Sequence, residues 1–323
     1  MPKEILLHAG HGKTGTSYIQ GAIIESLDRL NARGIEYPIA ERTKKRALEG
    51  LVTHGNIRPV TGAFTECIGF STADLAGSRL LISSESIFKT LHTELLDEIR
   101  AQYPKTPISA LLLVRDPVGN VASSYQQAVK KGFKGVSFKK YLRAFNQPKK
   151  AVAFYLACKA SGIDIRVESF SRNKSNLLEI VGDWLGVPEG TLVSPKMNVI
   201  NRSLTRSEMY FQSALNDLLP YKAAFLSEAL CSKLPDIRHD NPKESRDTLE
   251  TFAARMRADI EVANELFGKE LYCLDSIEPY VGDEEHEPLA FSQEQLDVIA
   301  SAIAEKFLAL EAGTRSKQVA AQV

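Results

Sequence analysis

No apolar run in this 323-residue chain approaches the ~20 residues that a helix needs to cross a bilayer; the longest strong one covers only 108–114. The first ten residues, MPKEILLHAG, carry no cationic stretch leading into a long apolar one. No secretory signal is read there, and a cytoplasmic protein is expected. Cysteine is scarce: Cys67, Cys158, Cys231 and Cys273 lie far apart and form no CxxC pair. That spacing excludes a zinc cluster and a disulfide framework, so reduced core cysteines are expected. Net charge is lacking too, with 40 Lys+Arg against 40 Asp+Glu. A general nucleic-acid binder would need a cationic excess to neutralise phosphates. Hydrophobic residues at 44% and charged residues at 25% exclude a disordered chain, which has few large apolar residues and high net charge.

What is present is alternation. Strand-like runs at 5–8, 79–83, 108–114 and 164–168 are separated by helical patterns at 16–30, 91–102, 117–131, 138–161 and 175–185. Such alternation predicts an α/β protein, a parallel sheet covered by helices in three layers. Pro117 fits a helix start, where its missing N–H costs nothing. After residue 190 the pattern is almost all helix (205–218, 221–231, 245–267 and 292–311), with 318–323 read as a frayed tail. No internal repeat or low-complexity tract interrupts it. The expected organisation is a core over 1–204 and a helical part over 205–323, packed on the core as one domain.

The segment His8-Ala9-Gly10-His11-Gly12-Lys13-Thr14-Gly15-Thr16-Ser17 joins the first strand to the first helix. Glycines let a backbone turn sharply and aim its N–H groups at an anion, and a helix N-terminus adds positive potential. Lys13 supplies a point charge; Thr14, Thr16 and Ser17 supply hydroxyls. A full GxxxxGK[ST] phosphate motif would place glycine at position 7, where Leu7 stands. The plain alternative is a glycine-rich turn ending in a helix cap.

A second anion-binding candidate follows the strand at 108–114. Arg115 leaves a carboxyl end, the place where open parallel sheets bind ligands, and Ser123 lies on the helix beyond. A guanidinium grips phosphate bidentately. It pairs equally well with a carboxylate such as Asp116, and taken alone the residues leave both readings open.

Taken together and in order, these motifs resemble those of sulfotransferases that use 3′-phosphoadenosine 5′-phosphosulfate (PAPS). Lys13-Thr14-Gly15-Thr16-Ser17 is similar to the family's KTGTT-type 5′-phosphosulfate loop. Arg115, with Ser123 eight residues on, is similar to its 3′-phosphate strand and helix. A softer match joins 166–170 to Asp183-Trp184-Leu185-Gly186; the family's RKGxxGDW-like adenosine loop is absent, and Asn201-Arg202-Ser203 is expected to take its place. The resemblance implies a P-loop-like fold and sulfuryl transfer to a hydroxyl or amine without a metal. It assigns Gly12, Lys13, Thr14, Gly15, Thr16 and Ser17 to the phosphosulfate, and Arg115, Ser123 and Arg202 to the 3′-phosphate. Lys13 would also act catalytically, neutralising charge on the oxygen from which sulfur departs.

For the base, Glu85 follows the strand at 79–83 in the place of the glutamate used by glycan sulfotransferases. It also suits a helix first turn, where the dipole favours a carboxylate. His54 is the second candidate base; His8 reads as a core histidine. Residues 36–78 would shape the acceptor pocket, with a carbohydrate or glycolipid as the first expectation, and monomer and homodimer stay open. A P-loop kinase or NTPase using ATP and magnesium is the main rival, opposed by Leu7 and by serines at 83–84. Finally, 117–163 contains no Asp or Glu but nine cations, Lys130, Lys131 and Lys134 among them. Such a run is a solvated face or a steering field for an anionic ligand.

Overall fold

The computed structural model describes residues 1–48, 55–57, 77–89, 92–196, 202–282 and 288–320. They form two compact units. The first comprises Met1–Asn120, Asn146–Val199 and Ala254–Asp275; the second comprises Val121–Phe145, Ile200–Ala253 and Ser276–Val323. Residues 121–145 group with the C-terminal helices, and 254–275 with the first unit.

The first unit is built on a five-stranded sheet of order β2-β3-β1-β4-β5, parallel at every pairing. Its strands are β1 (Glu4–Ala9), β2 (Ile35–Glu36), β3 (Arg79–Ser84), β4 (Ile108–Val114) and β5 (Asp164–Ser169). The α/β reading of the sequence holds, and four strands fall where the apolar runs are. The two-residue β2 has no run long enough to announce it. β4 is buried along nearly its whole length, as a central parallel strand covered on both faces must be. Its neighbour β1 contributes Ile5, Leu6 and Leu7, none of them exposed.

Helices α1 (Thr16–Glu25), α2 (Leu27–Asn31) and α3 (Glu41–Leu48) follow β1 and β2; α4 (Glu85–Lys89) and α5 (His92–Gln102) follow β3. Then come α6 (Pro117–Lys130), α7 (Phe138–Ala144), α8 (Gln147–Ala160) and α9 (Leu177–Trp184). One face of the sheet carries α1 and α9, whose Ile19, Ile23, Leu177 and Val181 pack with Leu6, Leu81, Leu111 and Leu113. On the other, α5 packs against α8 and α4 against β1. The chain after β1 thus leaves toward one face and the crossovers flanking it toward the opposite one. The carboxyl ends of β1 and β4, where these connections part, are the place at which such sheets take ligands.

Two long helical patterns are broken. The 16–30 helix stops at Ser26, whose buried hydroxyl accepts the Val193 amide at 3.0 Å. The 138–161 helix divides at Phe145, which is extended with ψ 127°, just before Pro148 opens α8. The Asp183–Gly186 motif is a tether. Arg166 binds Asp183 at 2.6 Å, Trp184 Nε1 donates to Ser109, and Arg79 donates to the Leu185 carbonyl.

The second unit holds α10 (Arg206–Leu218), α11 (Ala224–Lys233) and α13 (Gln293–Ala320), with α12 (Arg246–Phe267) shared between the units. α10 opens with a reciprocal capping box between Thr205 and Glu208. Leu226 and Leu230 of α11 pack on Ile299 and Ala302 of α13. α13 runs on to Ala320, so Gln318, Val319 and Ala320 of the expected frayed tail are helical. Among the described residues no helix is long and apolar enough to cross a membrane. Cys158 and Cys231 are free and buried as expected, but Cys273 is half-buried, its sulfur taking a 2.7 Å bond from Arg172. Cys67 lies outside the described residues.

Candidate active site

The β1–α1 loop is held by its carbonyls. The Thr14 hydroxyl donates to the His11 carbonyl. Asn120 Nδ2 donates to the Gly12 carbonyl at 3.2 Å, and Arg115 Nη1 to the Lys13 carbonyl at 3.0 Å. These successive acceptors are pinned from within the loop, from α6 and from the end of β4. A loop whose carbonyls are occupied in this way leaves its amides as the backbone groups available to an anion. Lys13 sits at φ 69° and Gly15 at φ 78°, both left-handed. At Gly15 the glycine is required. A Cβ there would meet Leu177 at 2.9 Å and Phe170 at 3.0 Å, besides the steric cost of left-handed backbone.

Gly15 is the N-cap of α1, and no side chain caps that helix. The first amides of a helix have no intrahelical partner, and the dipole makes this end attractive to anions. Thr16 is 4% exposed, and its hydroxyl oxygen has no hydrogen-bond partner. Gly10 closes one side of this space: a Cβ there would meet the Thr16 side chain at 2.8 Å and Glu85 Cγ at 3.1 Å. The structure thus brings Glu85 beside the loop through the packing of β3 next to β1, with Ala9 in register with Ser84. Ser17 is exposed at the same helix start and Gly12 half-buried in the loop.

Arg115 lies with its guanidinium carbon 5.7 Å above the Phe170 ring, a cation–π contact that fixes the side chain's plane. The neighbouring carboxylate, Asp116, accepts the Cys273 amide at 2.8 Å. Beyond it, Asp275 caps α6, accepting the amides of Val118 at 2.9 Å and Gly119 at 2.8 Å. Burial, and then the charge of Asp116, push the Asp275 carboxyl up despite those two bonds. Asp275, Asn120 and Phe170 all shape the site, yet they are remote in sequence and carry no motif.

Below the loop, His8 Nδ1 bonds Ser83 Oγ at 2.8 Å, and burial lowers the histidine to about 4. It is the neutral core histidine that the sequence suggested. Gly55-Asn56-Ile57 docks on the same strand end: Asn56 Oδ1 accepts the Ser83 amide, and its Nδ2 donates to the Leu81 carbonyl. Gly55 is at φ 79°, and a Cβ would lie 1.7 Å from the Ser83 carbonyl oxygen. His54 itself lies outside the described residues, as does most of 36–78.

Two assigned side chains are engaged by the protein itself. Thr14 is wholly buried and engaged with His11, so its hydroxyl shapes the loop. Arg202 is 7% exposed, and all its N–H donors are committed within the second unit. It grips Glu208 bidentately at 2.7 and 2.8 Å and reaches the carbonyls of Leu234, Ser203 and Leu230. That geometry corrects the phosphate role expected for it, because no N–H remains. Ser123 is half-buried on the part of α6 in the second unit. Lys130 is likewise no solvated cation. Its Nζ donates to the Arg202 carbonyl at 2.9 Å, and burial lowers its pKa.

No known protein-family model matches the chain, and no curated protein matches it.

Proposed function

We propose that the protein transfers a sulfuryl group from PAPS to a hydroxyl or amine, with a carbohydrate or glycolipid as acceptor. The observation that carries this reading is the pinned loop: carbonyls of His11, Gly12 and Lys13 tied back, and α1 left without a side-chain cap. Together with the buried, unpartnered Thr16 hydroxyl and the two glycines that a Cβ would fill, it forms a P-loop-like cradle for a phosphate-type anion. PAPS, when bound, supplies the sulfuryl group and carries phosphate at both its 5′ and 3′ positions.

Gly15, Thr16 and Ser17 offer amides and hydroxyls to the 5′ end, and Lys13 offers its ammonium to charge that builds as sulfur departs. Fixed donors of this kind stabilise a transition state without reorganising. Arg115, levelled on Phe170, is the cation suited to the 3′-phosphate. Glu85, brought to the loop by β3, takes the acceptor's proton on its carboxylate.

Thermal unfolding with adenosine 3′,5′-bisphosphate, ADP and ATP, each with and without magnesium, tests the reading. A ligand at a hundred times its Kd stabilises the native state by about 2.7 kcal/mol. Adenosine 3′,5′-bisphosphate is expected to raise Tm without magnesium and more than ADP does. Equal or larger shifts confined to ATP with magnesium would assign the site to a kinase or NTPase instead.

A further inference from the structure

Within the second unit, the turn after α6 and the turn after α10 are joined backbone to backbone. The Tyr221 amide donates to the Gly132 carbonyl at 2.8 Å, and a Cβ on Gly132 would lie 2.8 Å from Tyr221 Cα. A second bond, from the Gly135 amide to Asp217 Oδ1 at 2.9 Å, locks the same pair of turns. Across the junction the rings of Phe133 and Tyr221 meet edge to face, 5.4 Å apart. Tyr221 has φ 59°, a left-handed backbone that a bulky residue adopts only where its surroundings hold it.

This rigid junction presents apolar groups outward. Leu218 is 78% exposed and Tyr221 69%, with Leu219 and Phe133 exposed beside them. Lys131, Lys134 and Lys222 stand exposed next to these residues in the chain, and Lys139 and Lys140 stand exposed on α7. The acid within the junction, Asp217, is engaged by a backbone amide, and 117–163 contains none. The patch is therefore an aromatic and leucine wedge rimmed by ammonium groups.

We propose that this Phe133–Tyr221 junction is a docking surface for an anionic lipid bilayer. Aromatic rings with one wet edge suit the headgroup region. Lysines rim the wedge with stems that lie along apolar surface while their charges meet anionic headgroups. A folded-peptide partner would need a groove or a sheet edge to enter; the wedge is formed by turn tips. The bonded junction also holds the rings in place before contact, so little freedom is lost on docking. The proposal stands apart from the reaction proposed above and does not depend on it.

Co-sedimentation of the full chain with phosphatidylcholine vesicles, with and without phosphatidylserine, is the test. Binding is expected only with phosphatidylserine, weakening as salt rises. A Lys131→Gln/Lys134→Gln/Lys222→Gln variant should bind on the order of a hundredfold more weakly, at roughly fivefold per lysine. Phe133→Ser/Tyr221→Asn should lose about tenfold or more through its missing apolar contact; asparagine tolerates the left-handed backbone. Cooperative thermal unfolding of both variants is expected, unchanged in the lysine variant and at a slightly lower midpoint in the other, which loses the ring contact. Failure of the wild type to sediment with either vesicle would overturn the proposal. So would wild-type binding by the Phe133/Tyr221 variant, or equal capture of both proteins by polyglutamate beads, which would mark a cationic face for an acidic protein.

Discussion

The Arg115 guanidinium donates a 3.0 Å hydrogen bond to the carbonyl of Lys13 and so couples the end of β4 to the β1–α1 loop. An arginine that reads as a ligand group in the sequence is also a brace for the other half of the candidate site. Arg115→Lys keeps a charge but loses the fork and the stacking on Phe170. It should weaken adenosine 3′,5′-bisphosphate by more than tenfold, about 1.4 kcal/mol or more. Isothermal titration checks this, and unchanged affinity would leave Arg115 as a brace alone.

Lys13 combines a charge with left-handed backbone at φ 69°, and glycine separates the two. Lys13→Gly removes the ammonium while relieving a conformation that costs an L-residue about 1–2 kcal/mol. The variant should unfold no earlier than the wild type, yet lose at least about a hundredfold in sulfuryl transfer. Retained activity would remove Lys13 from the mechanism. Glu85→Gln should likewise abolish transfer while leaving adenosine 3′,5′-bisphosphate binding intact, as expected of a base that acts on the acceptor.

Burial holds His8 neutral, with its pKa at about 4 against the usual 6.5. The unfolded chain then binds the proton more readily, so stability is full above pH 6.5 and falls as pH drops toward 4. The full loss is about 3 kcal/mol. Urea midpoints measured between pH 7.5 and pH 4.5 should show it, and His8→Asn, which keeps a partner for Ser83, should flatten that slope.

Arg202 and Glu208 form a buried pair at 2.7 Å. Burial alone raises Glu208, but bonds from Arg202, the Thr205 amide and Gln295, with the Arg202 charge, hold it below the ordinary carboxylate value. The pair's contribution is therefore present above pH 4.5 and lost as pH falls through the lower folded value. Arg202→Met leaves the carboxylate buried and should cost about 3–5 kcal/mol, measured by urea unfolding. Adenosine 3′,5′-bisphosphate affinity should stay unchanged in whatever fraction remains folded.

Gly55→Ala tests the docked tripeptide. Its Cβ would stand 1.7 Å from the Ser83 carbonyl oxygen, so the segment must leave β3. A loss on the order of 2–4 kcal/mol is expected, read from chemical denaturation.

Sequence by itself determined the layered α/β plan. Apolar runs such as Ile108–Val114 must be buried on both faces, and glycines with Lys13 after a short strand make a turn that faces anions whatever the rest of the chain does. Periodicity is local chemistry, and it survives folding. What only the tertiary structure decided were partnerships between residues distant in the chain. Arg202 has the same side chain as Arg115 and looks equally fit for phosphate, but packing gives it a buried carboxylate and three carbonyls. Asp275 reaches α6 across 156 residues to cap it, and Asn120 ties the Gly12 carbonyl. A charged or polar side chain is defined by the partner it meets once desolvated, and that partner is chosen by the fold.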